Sequence, residues 1–150
     1  MQITKKPLKS VFQTGEQMKR LCCEYYKDIS CFNFMTLGQY FNFVKDLPYL
    51  ADPKNIEFLS RPGASLLGSA KYRDCDDKAI LIGSYLILKK IPFRFIAVST
   101  NPAKKIHHVL VEAQIKNCRL FIDATYPKNK LFELKRYTKK LPITDWIKAA

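Results

Sequence analysis

The sequence predicts an α+β domain, in which helices come first and an antiparallel sheet follows. Apolar residues recur with helical spacing between about residues 15 and 89, with one loop-rich interruption. Three stretches of strand length come after Pro92, and only two residues separate the last two of them. Helices and antiparallel strands that are segregated along the chain are typical of the α+β class. The 150 residues suit a single domain, 1–150.

Two helices are expected near the start of the chain. The first covers about residues 15–28, where a capping box of Thr14 and Gln17 precedes one apolar stripe. The second begins after the same signal at Thr36 and ends before Pro48, which cannot continue a helix.

A loop-rich stretch, residues 48–73, leads into a third helix. Prolines and glycines punctuate this stretch, and one helical turn is expected from Ile56 to Leu59. Long irregular stretches inside a domain are often functional. The helix that follows covers Asp76 to about Lys89.

The sheet is predicted from three strands, 93–99, 106–115 and 118–124. Residues 116–117 are short enough for a two-residue hairpin turn between the last two strands. A last helix is expected from Thr144, inside the basic C-terminal part of the chain.

The charge of the chain is strongly positive, +13, from 26 lysines and arginines against 13 acids. Much of the excess lies near the ends, and we treat 1–13 and 128–150 as basic terminal segments. Such a surplus predicts an anionic partner: nucleic acid, an acidic protein or an anionic surface. Only five glycines occur and no phosphate-binding glycine motif is found, which argues against a nucleotide-cradling loop.

Membrane insertion, secretion and metal binding are not expected. No apolar stretch approaches the roughly 20 residues that cross a bilayer, and no apolar segment of a signal peptide follows the basic N-terminus. The five cysteines form no CxxC pair and the two histidines are adjacent, so the spacing of a zinc site is missing. We therefore expect a cytoplasmic protein with reduced thiols, no metal and no cofactor. The sequence leaves the oligomeric state open.

Cys75 is the candidate nucleophile, because it stands where the loop gives way to a helix. The positive end of a helix dipole favours the thiolate form of a cysteine in the first turn. The neighbouring Asp74, Asp76 and Asp77 act in the opposite direction if they point at the sulfur, but they also suit a helix start.

A cysteine nucleophile is normally activated by a neighbouring base, and His107 and His108 are the histidines of this sequence. If Lys116 and Asn117 form a two-residue turn, pairing places His108 on the same face as Asp123, one diagonal step away. His107 then points to the opposite face. A three-residue turn reverses the parity and favours His107.

The two faces of this hairpin differ in composition. One is more uniformly apolar and includes Val109 and Val111, whereas the other mixes apolar residues with His108 and Asp123. We expect the apolar face to be structural, and the helix of Cys75 to pack against the mixed face.

Four blocks of the sequence resemble the core of the transglutaminase-like superfamily. They appear in the family's order and with similar spacing, within a resemblance that covers roughly residues 43–127. The blocks are Asp74-Cys75-Asp76-Asp77-Lys78-Ala79, Ile91-Pro92-Phe93-Arg94-Phe95, His108-Val109-Leu110-Val111-Glu112 and Phe121-Ile122-Asp123-Ala124-Thr125. The resemblance independently favours His108 over His107.

The resemblance implies a papain-like core, in which a cysteine-bearing helix packs on an antiparallel sheet that carries histidine and aspartate. It assigns Cys75 as nucleophile, His108 as general base and acid, and Asp123 as the residue that orients the histidine. The implied activity is acyl transfer on amide bonds of a protein or peptide, by a protease or amidase, or by a transglutaminase or deamidase. We favour hydrolysis, because water as acceptor needs no second site, and the basic termini suggest an acidic substrate.

Two positions depart from the family pattern. Arg73 replaces the usual glycine two residues before the cysteine. It is expected to narrow the entrance of the cleft or to change its charge. Ala124 replaces the proline that follows the aspartate. The oxyanion is expected to be held by the Cys75 backbone N–H and a donor from the preceding loop, for which Tyr72 is a candidate unless it is a packed aromatic residue.

Two other classes of protein remain alternatives. The charge favours a nucleic-acid or anion-binding module, but the aromatic residues fall mostly on core stripes, so a stacking platform is not evident and no nucleic-acid motif is found. A catalytically inactive structural or interaction protein on the same fold is the other alternative.

Overall fold

The chain folds into a mixture of helices and antiparallel sheet, as the sequence predicts. The computed structural model describes residues 3–6, 10–54, 56–68, 70, 72–99, 106 and 108–148. The helices are α1 (Val11–Tyr25), α2 (Leu37–Asp46), α3 (Pro62–Leu66) and α4 (Cys75–Leu88), with a 3₁₀ helix over Tyr26–Phe32. The strands are β1 (Ile3–Lys6), β2 (Glu57–Ser60), β3 (Phe93–Ser99), β4 (His108–Ile115), β5 (Cys118–Ile122) and β6 (Lys139–Pro142). No helix in the described part of the chain is long and apolar enough to cross a membrane.

The main sheet has four antiparallel strands in the order β5-β4-β3-β6. The predicted hairpin is confirmed, because Ile115 pairs with Cys118 across a two-residue turn. Both turn residues, Lys116 and Asn117, have positive φ (49° and 64°), as the tight turn that matches the strand twist requires. This register fixes which side chains of β4 and β5 share a face.

Helix α4 packs against the apolar face of the sheet, so the prediction that it would pack on the mixed face is wrong. Val109 and Val111 of β4 belong to the same buried core as Ile80, Leu81 and other residues of α4. The apolar face offers more apolar surface area to bury under the helix. The other face, which points away from α4, holds an ion pair between Arg94 and Glu112.

Near the N-terminus, the structure corrects the start of the first helix. Ser10 caps α1, with its Oγ accepting a hydrogen bond from the N–H of Gln13 at 3.3 Å, so Thr14 lies inside the helix instead of capping it. The predicted cap at Thr36 is confirmed, since the Gln39 N–H donates to Thr36 Oγ1 at 3.2 Å. Both sites carry a Thr-x-x-Gln pattern, and the extra turn at α1 places Thr14 in a buried position.

Two further predicted helical segments are extended chain. Residues 57–60 form β2, which pairs with β1, instead of a helical turn at 56–59. At the C-terminus, Thr144 accepts a hydrogen bond from the Phe95 N–H at 3.1 Å and Ile147 bridges to Phe93, so this segment continues along β3 instead of forming a helix. In both cases a strand that is distant in sequence supplies hydrogen-bond partners, and these outweigh the local preference of the segment for a helix.

Candidate active site

Cys75 is the first residue of α4, as the loop-to-helix transition in the sequence predicts. The Asp74 carboxylate caps this helix and accepts hydrogen bonds from the N–H groups of Asp76 (3.0 Å) and Asp77 (3.5 Å). The Asp77 side chain in turn accepts a hydrogen bond from the Asp74 N–H, which completes a capping box. The capped helix, whose residues from Asp76 to Ile87 are all buried, holds the cysteine in a fixed position.

His108 and Asp123 are joined by a hydrogen bond. The His108 Nε2 atom at the start of β4 lies 2.7 Å from Asp123 Oδ2, just after the end of β5. The second carboxylate oxygen, Oδ1, accepts a bond from the Thr125 N–H at 3.1 Å. Burial acts to raise the pKa of Asp123, but the bonds and charge from His108 and Thr125 outweigh it and lower that pKa below its ordinary value. Asp123 is therefore a carboxylate suited to orient the imidazole.

A cavity of about 240 Å³ brings the cysteine and the histidine together. Cys75 and His108 both line it, with Tyr49 and Asp76 among the other walls. The backbone N–H of Val109, the residue that follows the histidine, acts to lower the pKa of the Cys75 thiol. Since Nε2 of His108 is bonded to Asp123, Nδ1 is the ring nitrogen that any proton exchange with the thiol would use. His107 lies outside the described residues.

The thiol of Cys75 is held in its protonated form. Burial is the main cause that raises its pKa well above the ordinary value, and the charges of Asp76 and Asp74 add to it, against a smaller lowering effect of the Val109 N–H. The Asp76 Oδ1 lies 3.5 Å from the sulfur. Burial and the aspartates therefore act against the thiolate that the helix start favours, and this is the direction that the sequence indicates for aspartates that point at the sulfur.

Five carboxyl groups cluster around the start of α4. Burial and the charge of Asp52 raise the pKa of Asp74 to about 7. The pKa values of Asp76 and Asp77 are raised well above the ordinary value, again chiefly by burial. The carboxylates of Asp52, Glu57 and Asp74 lie within 4.8 Å of one another, as do the ligand atoms of Asp74, Cys75 and Asp76. Carboxylate oxygens are the donors that a hard cation prefers. The raised pKa values of Asp52 and Asp74 favour shared protons in that position.

Arg73 does not reach the cleft as the sequence suggests. The residue is buried, and its guanidinium donates to the carbonyl oxygens of Ser65 and Pro48, the latter at 3.0 Å. Its backbone pairs with Leu50 in both directions at 2.8 Å. Arg73 therefore stabilises the loop-rich stretch, residues 48–73, that precedes α4. The ring of Tyr72 stacks on Phe58 with centroids 5.0 Å apart, which is the packed-aromatic role.

Lys78 is a residue at the site that the sequence did not single out. It lies one turn after Cys75, and its side chain is buried with Nζ donating to the carbonyl oxygens of Lys45 and Thr125, both at 2.9 Å. Burial lowers the pKa of Lys78 to about 8. A lysine on an otherwise apolar helix was the available signal. It ties the cysteine helix to the loop that follows Asp123.

Two aromatic rings and one amide also support the histidine and aspartate. Tyr126 stacks on His108 with ring centroids 5.9 Å apart, and Tyr49 lies 5.9 Å from Tyr126. The Asn129 side chain donates to the Asp123 carbonyl at 3.0 Å. These residues lie in loops, where no periodic pattern of the sequence marks them.

Comparison with known proteins adds no relative: no family profile, no curated protein and no solved structure matches this chain. The interpretation of the site consequently depends on its own geometry.

Proposed function

We propose that the protein is a thiol-dependent enzyme of acyl transfer, acting on amide bonds of a protein or peptide, with a papain-like or transglutaminase-like core. The observation that carries the proposal is the His108–Asp123 pair, 2.7 Å apart, at a cavity that Cys75 also lines. A nucleophile, a base and a group that orients the base are the three parts this chemistry needs.

In the proposed reaction, Nδ1 of His108 takes the proton of the Cys75 thiol as the sulfur attacks the amide carbonyl. The resulting imidazolium is stabilised by the Asp123 carboxylate. Collapse of the tetrahedral intermediate breaks the C–N bond, and the imidazolium returns the proton to the leaving amine. Water, or a second amine, then attacks the thioester while His108 takes the proton of that acceptor. The C–S bond breaks, the acyl product leaves, and the imidazolium returns the proton to the Cys75 thiolate.

The protonated thiol fits a mechanism in which the proton moves only when substrate is bound. Substrate that fills the cavity displaces water and changes the surroundings of the sulfur, so that thiol and imidazole can exchange the proton. The backbone N–H of Cys75, at the open start of α4, is the proposed oxyanion donor. Hydrolysis is the favoured outcome, because the cavity needs to admit only water as acceptor.

Incubation of a peptide library with the purified protein tests this proposal, with and without an added primary amine, followed by mass spectrometry. Peptide cleavage or conversion of an amide to an acid would indicate hydrolysis, and amine incorporation would indicate transamidation. We expect Cys75→Ala to abolish every such product, with Cys31→Ala, an exposed cysteine, as the matched control. Products that persist in Cys75→Ala would contradict the proposal.

A further inference from the structure

The face of the main sheet that points away from α4, here called the outer face, carries aromatic rings and cations side by side. Phe121 of β5 lies on it, and Tyr137 and Trp146 from the C-terminal segment pack onto it. Phe121 and Tyr137 meet edge to face with centroids 6.1 Å apart. All three rings remain partly exposed.

Cations lie directly over these rings. The guanidinium groups of Arg94 and Arg119 lie 4.7 Å and 5.5 Å from the ring of Trp146. The ammonium group of Lys140 lies 5.5 Å from the ring of Phe121. Flat guanidinium groups and rings presented together are the groups on which nucleobases stack, while the same cations attract phosphates.

The charge balance of the outer face is positive. Its Glu112 is buried and paired with Arg94 at 2.6 Å, so this carboxylate is neutralised locally. Arg119 and Lys140 are exposed, and so is Asp145 beside Trp146. A cleft of about 200 Å³ runs between Arg94, Phe121 and Lys140, bounded by aliphatic side chains of the sheet.

We propose that the outer face binds single-stranded nucleic acid, with bases stacked on its rings and phosphates near Arg119 and Lys140. An acidic polypeptide would use the cations but has no need of the three rings, whereas a single strand uses both. A sheet face with exposed rings is also a common way of binding single strands. None of the rings and cations that carry this inference belongs to the proposed acyl-transfer site, so the inference does not depend on that site.

The sequence did not reveal this surface, because its members are scattered between residues 94 and 146. Antiparallel pairing brings Arg94 beside Glu112 and Glu112 beside Phe121, and β6 adds Lys140 at the other edge of β3. A stacking platform is not evident from the sequence, where most aromatic residues fall on core stripes, and it is the fold that brings these rings and cations together.

The single tryptophan of the chain provides a direct test. Oligothymidylate is titrated at low salt, and Trp146 fluorescence and the anisotropy of a labelled oligonucleotide are both recorded. We expect saturable quenching of Trp146, and an affinity that falls with salt with a slope near −1 to −2, about 0.7 per neutralised phosphate. The double variant R119A/K140A should bind at least about fivefold more weakly. A K27A/K54A variant removes the same charge from exposed lysines elsewhere and should bind within about twofold of wild type.

The stacking part of the proposal has its own variant. Phe121→Leu keeps an apolar residue on β5 and should weaken binding by about fivefold, with circular dichroism as the check on folding. Cys75→Ala should bind normally, which separates this inference from the proposed enzyme. Absence of binding at low salt, unaltered binding by Phe121→Leu in a folded protein, or equal binding of an oligoglutamate peptide in competition would overturn it.

Discussion

At the scale of single residues, the identity of the base is the point on which the proposed chemistry depends. His108 is fixed by its bond to Asp123 and by the ring of Tyr126. His107 lies outside the described residues, so the expectation from the sequence that strand alternation separates the two histidines stays a prediction.

Replacement of the two histidines distinguishes them. We expect His108→Ala to lower kcat/KM by about 10²–10⁴-fold, because general acid–base catalysis is lost. His107→Ala should retain most of the activity and is the control one residue away. The rate of peptide turnover is measured at saturating and at limiting substrate. If His107→Ala is inactive and His108→Ala is active, His108 is not the base.

Lys78 is the residue on which the packing around the site most depends. Its ammonium group satisfies two carbonyl oxygens from different parts of the chain, Lys45 and Thr125. A methionine at this position has similar length but leaves both carbonyls without their donor.

Lys78→Met is therefore expected to lower the free energy of unfolding by about 2–4 kcal/mol, since each buried group left unsatisfied costs about 1–3 kcal/mol. Urea unfolding followed by circular dichroism measures this, with the exposed Lys54→Met as control. Equal midpoints for the two variants would mean that Lys78 has no such role.

At the scale of elements, the close contact between α4 and β3 limits what the helix can carry. A Cβ atom added at Gly83 would lie 2.8 Å from the Phe93 ring and 3.1 Å from the Cys22 sulfur. A Cβ added at Gly38 in α2 would meet only Thr36 Oγ1, at 4.0 Å. Gly83 and Gly38 therefore offer a matched pair of helical positions, one crowded and one open.

Gly83→Ala should destabilise the protein by about 1–3 kcal/mol, because overpacking outweighs the gain in helix propensity. Gly38→Ala should stabilise it by about 0.5–1 kcal/mol, because only the propensity changes. Thermal and urea unfolding of both variants check the signs. If both substitutions stabilise, α4 packs on the sheet less closely than described.

Elements with local signals were predictable, and those that depend on distant partners were not. The hairpin of β4 and β5 follows from its two-residue turn, and the position of Cys75 follows from the aspartates that cap α4. By contrast, β2 exists because β1 pairs with it from about 50 residues away, and β6 because it joins the edge of β3. Local pattern carries no information about such partners.

The same contrast holds within the candidate site. The pairing of His108 with Asp123 could be predicted because strand parity and turn length suffice to place both side chains. The role of Lys78 could not, since its acceptors come from α2 and from the loop after Asp123. The sequence indicates the effect of the aspartates on the Cys75 thiol but not the burial that chiefly raises its pKa, because burial of the sulfur depends on the tertiary fold.

At the scale of the whole molecule, the positive chain encloses a concentrated group of acids. The net charge is +13, yet Asp74, Asp76 and Asp77 are buried together at the start of α4. Asp28 and Asp123 differ from them, because ionic hydrogen bonds lower their pKa values. The two groups of carboxyls therefore affect stability in opposite directions as the pH changes.

The acids at the start of α4 should make the protein less stable as the pH rises from about 4 to about 7. Asp74 has a folded-state pKa of about 7, above its ordinary 3.8, so the folded chain holds a proton there that the unfolded chain has lost. The resulting stability is fully present below the unfolded pKa and is lost as the pH rises through the folded pKa. Asp76 and Asp77 act in the same direction.

Urea unfolding at about pH 5 and about pH 7.5 should therefore differ by of the order of 2 kcal/mol in favour of the lower pH. Asp52→Asn should reduce this difference, because removal of the Asp52 charge lets Asp74 ionise more easily in the folded state. Asp145→Asn changes an exposed carboxylate and should leave the difference unchanged. Asp28 and Asp123, whose pKa values are lowered, change the stability in the opposite direction, but only below about pH 4. They do not affect the comparison between pH 5 and pH 7.5. A wild-type protein that is more stable at pH 7.5 than at pH 5 would therefore show that the buried acids ionise without cost.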